Sequence, residues 1–308
     1  MSSSSKSDAP SSPFISSAEF AKANYKCRWL VEGVLVRNQP AVIGGAKKSL
    51  KTSLAIDLAI SLGSATPFFG RFDVPKPVNV AFMSGESGKA VVQETAKRVC
   101  AAHDCDLAQC SVDWSMELPN LATKIGLKEL CRNLTDIYAN VVFIDPLYLC
   151  LIAGGSASAS NLYEIGALLK DVATACHSAG ATPILIHHST KGSNKHVNKT
   201  SSIPAPMDLD DLAFAGIAEL ARQWILVNRR TPYDPNQHRH ELLMNVGGSA
   251  GHSSCWNLDI DEGKMQTDFT GRRWDVSVYE FPASSANTKS LYESEPRYGR
   301  GKRRGLYA

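Results

Sequence analysis

One segment constrains the fold more than any other. Ala41–Ile43 is a short apolar run that reads as a buried strand. Lys51–Leu62 places Leu54, Ala55, Leu58, Ala59 and Leu62 on one helical face. Between them runs Gly44-Gly45-Ala46-Lys47-Lys48-Ser49-Leu50-Lys51-Thr52. A strand that turns through glycine into a helix opening on Lys and a hydroxyl is the setting of a phosphate-binding loop. Backbone N–H groups of the turn and of the helix start surround phosphate oxygens. Lys51 is placed to reach β- and γ-phosphates, and the Thr52 hydroxyl to ligate Mg²⁺. Lys47 and Lys48 add charge inside the loop. Leu50 departs from the pattern, which carries Gly just before the lysine. A left-handed backbone at that position is costly for Leu, whereas a helical one costs nothing.

The remaining chain extends this unit. Val78–Met83, Val141–Ile144, Thr182–His187 and Trp224–Val227 read as strands. Helical stretches near Lys89–Ala102, Lys124–Tyr138, Asn161–Ala179 and Asp208–Arg222 alternate with them. Such alternation builds parallel β-α-β units and a sheet covered by helices on both faces. Beyond about residue 238 the pattern changes. Glu241–Val246, Cys255–Ile260 and Trp274–Phe281 read as antiparallel strands that extend one edge of the sheet. The fold class is therefore α/β, a mostly parallel central sheet with an antiparallel C-terminal extension. We divide the chain into a Ser-rich arm (1–20), one catalytic-sized domain (21–282) and a basic tail (283–308), with a polar loop at Gly192–Pro206.

Composition removes several classes. With 308 residues, 44% hydrophobic and 20% charged, the chain can bury a large core. No apolar run reaches membrane-spanning length and the first residues lack an apolar leader, so a soluble cytoplasmic protein is expected. The net charge of +3 is unevenly placed. Arg297, Arg300, Lys302, Arg303 and Arg304 cluster in the tail, and removing these five cations leaves −2. A basic tail suits nucleic acid or an acidic partner and equally a solvated end. Eight cysteines include no C-x-x-C pair. Cys100, Cys105 and Cys110 recur every five residues, which on a continuous helix walks round the axis. That spacing argues against a metal site and for reduced thiols. His238 and His240 share a strand face without a nearby Cys in sequence, which also argues against a metal.

Further polar residues fall at strand ends, where α/β sheets bind ligands. Asp145 ends Val141–Ile144 and is placed to hold Mg²⁺. Glu86, in Ser84-Gly85-Glu86-Ser87-Gly88, can orient and deprotonate an attacking water. Its competing reading is an acid favoured by a helix N-terminus. His187 and His188 cap Thr182–Ile186, and strand alternation lets at most one face the ligand. Arg222, Arg229 and Arg230 are candidates for charge stabilisation.

The order of these features (loop, strand-end Glu, strand-end Asp, His pair, Arg) resembles the RecA-like branch of P-loop ATPases. The chain is most similar to RepA-like AAA-family ATPases, named after a hexameric plasmid replicative helicase. Ile186-His187-His188-Ser189-Thr190-Lys191-Gly192 resembles that family's His-His-x-x-Lys signature. Ala221-Arg222-Gln223-Trp224 falls where the family carries its arginine finger, and Gly247–Gly251 with Trp256 where it has a terminal hairpin. The likeness spans roughly residues 25–262. It implies a RecA-like domain that binds and hydrolyses ATP with Mg²⁺. It further implies a homo-oligomer such as a hexameric ring, with Lys51, Thr52, Glu86, Asp145 and His187/His188 in cis and Arg222 in trans. A helicase or DNA-associated motor in plasmid, phage or chromosomal replication or repair follows, with single-stranded DNA as partner. Lys191, Lys195, Lys199 and the tail are the basic residues available for it.

Two other readings compete. Leu50 and the short chain suit a nucleotide-dependent interaction protein that binds ATP with little hydrolysis. Ser87, Asp145 and His187 also occur in the chain order of an α/β-hydrolase triad. That elbow requires Gly at position 89, where Lys89 stands, and it leaves the Gly45–Thr52 loop unexplained.

Overall fold

The computed structural model describes residues 14–152, 162–190 and 205–281, apart from positions 214, 215, 233, 235 and 269. The first thirteen residues, the basic tail, and Lys191, Lys195 and Lys199 lie outside the described residues. A short helix, α1 (Ser17–Lys22), begins at a reciprocal Ser16–Glu19 capping box and buries none of its residues. A hairpin of β1 (Trp29–Val31) and β2 (Leu35–Val36) leads into the main sheet.

Nine strands form that sheet. In chain order they are β3 (Ala41–Gly45), β4 (Val80–Ser84), β5 (Val112–Ser115), β6 (Val141–Asp145), β7 (Thr182–His188), β8 (Gln223–Arg229), β9 (Arg239–Gly248), β10 (Ser253–Asp261) and β11 (Asp275–Glu280). The spatial order is β11-β10-β9-β8-β3-β7-β6-β4-β5. Pairings from β5 across to β8 are parallel, and those from β8 to β11 are antiparallel. The expected mixed architecture is therefore present.

Alternation along the parallel strands explains the two-sided core. Ile43, Phe82, Phe143, Ile184 and Ile186 pack with helices α2 (Lys51–Ser64) and α3 (Lys89–Ala102). Their neighbours Val42, Ala81, Val142, Ile144 and Leu185 turn to the other face. There they meet α4 (Lys124–Asp136), α5 (Leu147–Ile152) and α6 (Leu162–Ser178). Among the described residues, no helix is long and apolar enough to cross a membrane.

One expected helix is absent. Asp208–Arg222 is not continuous: a 3₁₀ turn at Leu209–Asp211 is followed by the four-residue α7 (Ile217–Leu220). Asp208 and Asp211 form a reciprocal capping box that closes after one turn. Gly216, at φ 88°, sets a second start. Arg222 consequently lies in the entry to β8 rather than on a helix, its N–H donating to the Pro40 carbonyl.

Candidate nucleotide-binding site

The site forms where β3, between β7 and β8, hands the chain to α2. Open α/β sheets bind ligands at such a switch point, beyond the strand C-termini. Gly45 sits close against β8: a Cβ there would lie 2.6 Å from the Val227 carbonyl oxygen and 2.8 Å from Ser49 Oγ. The loop folds on the Ala46 carbonyl, which accepts from Ser49 Oγ at 2.8 Å and from Lys51 Nζ at 2.7 Å. Arg229 also donates to the Lys48 carbonyl, tying the loop to the end of β8.

Lys48 and Leu50 both adopt left-handed backbone, at φ 61° and 62°. The costly alternative for Leu50 is thus the observed one, worth about 1–2 kcal/mol. Its side chain packs against the core beneath the loop, and such burial offsets part of that cost.

Side chains from four segments converge on one cleft of about 750 Å³. Lys51, Thr52, Glu86, Asp145, His187 and His188 all line it, with Ser87 and Tyr148. Thr52 Oγ1 donates to Asp145 Oδ2 at 2.7 Å. These two hard oxygens face the loop together and suit Mg²⁺ in donor type. Burial raises Asp145 to about 6, against the lowering effect of the Thr52 hydrogen bond. Burial lowers Lys51 to about 8, against the attraction of Asp145 and Glu86. A buried cation and a buried acid are thus both held away from their usual ranges in one cleft, as at many functional sites.

Glu86 is not a helix-start acid. The helix α3 is capped by Gly88, and Glu86 lies in the preceding loop, exposed to the cleft. Its Oε1 accepts from the Tyr148 hydroxyl on α5. That hydrogen bond is the main reason the phenol is pushed up to about 12. Sequence reasoning missed Tyr148. It stands in the apolar run Leu147–Ile152, which gives no sign that one ring turns back to the strand ends.

The two imidazoles point to opposite faces of β7, as the pleat requires, yet both border the cleft. His188 is half-buried, whereas His187 is almost wholly buried. His188 lies on the α2 face, feels Lys51, Glu86 and Lys47, and has its ring 5.8 Å from Tyr148. His187 is buried, and burial, with the neighbouring His188, lowers it to about 4.

The arginines separate. Arg229 reaches the loop, while Arg230 pairs with Asp259 and Glu241 in the antiparallel extension. Arg222 is at the opposite end of β8, since Gln223 pairs with Ala41 and Val227 with Gly45. The hydrolase reading gains no support. Asp145 is engaged by Thr52, and Ser87 sits in a loop of the cleft between β4 and α3 with no tight elbow.

This loop, cleft and sheet define a RecA-like P-loop NTPase. The comparisons with known proteins agree. The AAA domain family matches residues 9–194, and the chain belongs to that family. Among solved structures it is similar to the KaiC-like protein PH0186 of the hyperthermophilic archaeon Pyrococcus horikoshii OT3. The two share 16% identity and a TM-score of 0.50, over 81% of this chain and 93% of that one. That likeness is one of fold. No curated protein matches the sequence.

Proposed function

We propose that the protein binds ATP with Mg²⁺ at Gly44–Thr52 and hydrolyses it as a DNA-associated motor of the RepA-like kind. The observation that carries this reading is the meeting of Lys51, Thr52, Asp145 and Glu86 in one cleft. Lys51 leaves the Ala46 carbonyl for the β- and γ-phosphates, where its charge is compensated. Thr52 and Asp145 hold Mg²⁺, which neutralises charge on the phosphate oxygens when bound. Glu86 orients the attacking water and takes its proton while the water oxygen bonds to the γ-phosphorus and ADP leaves. Tyr148 positions Glu86. His188 contacts the γ-phosphate, and His187, neutral at physiological pH, supports it from the opposite face.

Arg222 is the proposed trans finger. It lies at the far end of β8, roughly 16 Å of strand from the loop of its own chain, which supports a role in trans. In this reading it acts in the site of a neighbouring subunit, within a homo-oligomer such as a hexameric ring. Single-stranded DNA is the proposed partner. Besides the basic residues outside the described regions, Tyr25, Lys26, Arg28 and Arg37 line one groove at the sheet end opposite the nucleotide. A basic groove with an aromatic suits single strands, whose bases stack on rings.

The test is the ATPase rate with and without single-stranded DNA, taken with the mass of the assembly. A ring-sized oligomer stimulated by DNA is expected. A monomer whose slow turnover ignores DNA would instead favour the nucleotide-dependent interaction protein.

A further inference from the structure

Three cysteines that look scattered in sequence come together in space. The helix α3 carries Cys100 in its last turns and ends at Ala102. Asp104 then adopts left-handed backbone at φ 51°, reversing the chain so that the Cys105 N–H donates to the Cys100 carbonyl at 3.0 Å. A 3₁₀ turn at Leu107–Gln109, capped by the Asp106 carboxylate, brings Cys110 back over the same spot. The expectation that a five-residue spacing walks round an axis holds only for an unbroken helix. Here the break makes the three thiols converge, with all Sγ atoms within 4.8 Å of one another.

We propose that Cys100, Cys105 and Cys110 form a three-thiolate site for a soft divalent ion of the zinc class. Tetrahedral zinc with bonds of about 2.3 Å sets its sulfurs about 3.8 Å apart, within reach of small side-chain movements here. The chemistry needs a cation. With one, the repulsion among the thiolates becomes attraction to a common centre. Cys100 is buried in the core while Cys105 and Cys110 are partly exposed, so the ion has an anchored side and an entry side. Three protein ligands leave a fourth position for solvent. The site clamps the end of α3 to the start of β5 and does not depend on the function proposed above.

The test uses the full chain, reduced and freed of metal, titrated with Zn²⁺ and with Co²⁺ as a spectroscopic probe. One equivalent of Co²⁺ should give an intense thiolate-to-cobalt charge-transfer band that Zn²⁺ bleaches. Zn²⁺ should protect Cys105 and Cys110, the two partly exposed members of the cluster, from a thiol reagent. Cys105→Ser and Cys110→Ser remove partly exposed groups, so the fold should survive, as circular dichroism will verify. Each should lose the band and weaken Co²⁺ binding at least about tenfold. Cys27→Ser, at an exposed cysteine away from the cluster, should bind as the parent does. Absence of the band with Cys105 and Cys110 still reactive overturns the proposal. So does a band that persists in both cluster variants.

Discussion

Two carboxylates, one in each half of the sheet, the first buried and the second half-buried, show opposite uses of the same group. Asp145, at the end of β6 in the parallel half, is pushed up to about 6. Glu262, just after β10 in the antiparallel half, is brought down to about 2. Burial alone would raise Glu262 too. A hydrogen bond with His240 and the charges of Arg98 and Arg272 outweigh it, at 3.1, 2.8 and 3.0 Å. For Asp145, Thr52 and the opposite charge of Lys51 lower it, but burial and the like charge of Glu86 prevail. The extension thus pairs its charges to hold the edge of the sheet together. The parallel half leaves an acid and a cation under-compensated around an open cleft, the state a charged ligand would relieve. Arg230, close-paired with Asp259, belongs to the first kind, and Lys51 to the second.

The contrast can be broken by substitutions in each half. Glu86→Gln keeps shape and removes the base. ATP turnover should fall by about two to four orders of magnitude while nucleotide binding and melting temperature stay near the parent's. Normal turnover would move the base elsewhere, with Asp145 the next suspect. Glu262→Gln should do the reverse. It leaves Arg98 and Arg272 short of charge in a largely buried network, costing about 2–3 kcal/mol of stability in denaturant titrations, with nucleotide affinity unchanged. The sign of its pH dependence follows. Glu262 is depressed in the fold, so its contribution is present above its ordinary 4.5 and is lost as pH falls towards about 2. Loss of nucleotide binding in this variant would erase the distinction between the halves.

The pH dependence of binding sharpens the same comparison. Protonating Asp145 below about 6 removes a Mg²⁺ ligand, and deprotonating Lys51 above about 8 removes the phosphate's partner. Affinity for ATP–Mg²⁺ should therefore plateau between these values and fall on each side by about tenfold per unit. Calorimetry across this range measures it; a flat profile would mean that neither group titrates in the site.

Much of this was legible in the sequence for a physical reason. Loop, Glu86, Asp145 and His pair each lie at or just past the end of a largely buried strand, whose apolar run is hard to miss. The helix Lys89–Ala102 and strand Val141–Asp145 match expectation almost to the residue. What was hidden depends on contacts distant in sequence or on backbone breaks. The strand β5 is four residues long and nowhere fully buried, so no period marks it. Tyr148 reaches Glu86 across sixty-two positions. The meeting of the cysteines rests on one residue, Asp104, turning left-handed. The helix expected over Asp208–Arg222 is broken by a cap and a glycine that helical periodicity does not weigh.

The most direct test of the account is a calorimetric titration of ATP–Mg²⁺ into the parent protein and into Lys51→Ala at neutral pH. Lys51 is buried, donates to the Ala46 carbonyl within the loop, and is attracted by Asp145 and Glu86. If this cleft is the nucleotide site, the parent binds and the variant loses about tenfold to a hundredfold in affinity, the worth of one charge-assisted contact. Equal affinity in the two proteins would place the nucleotide elsewhere and contradict the assignment.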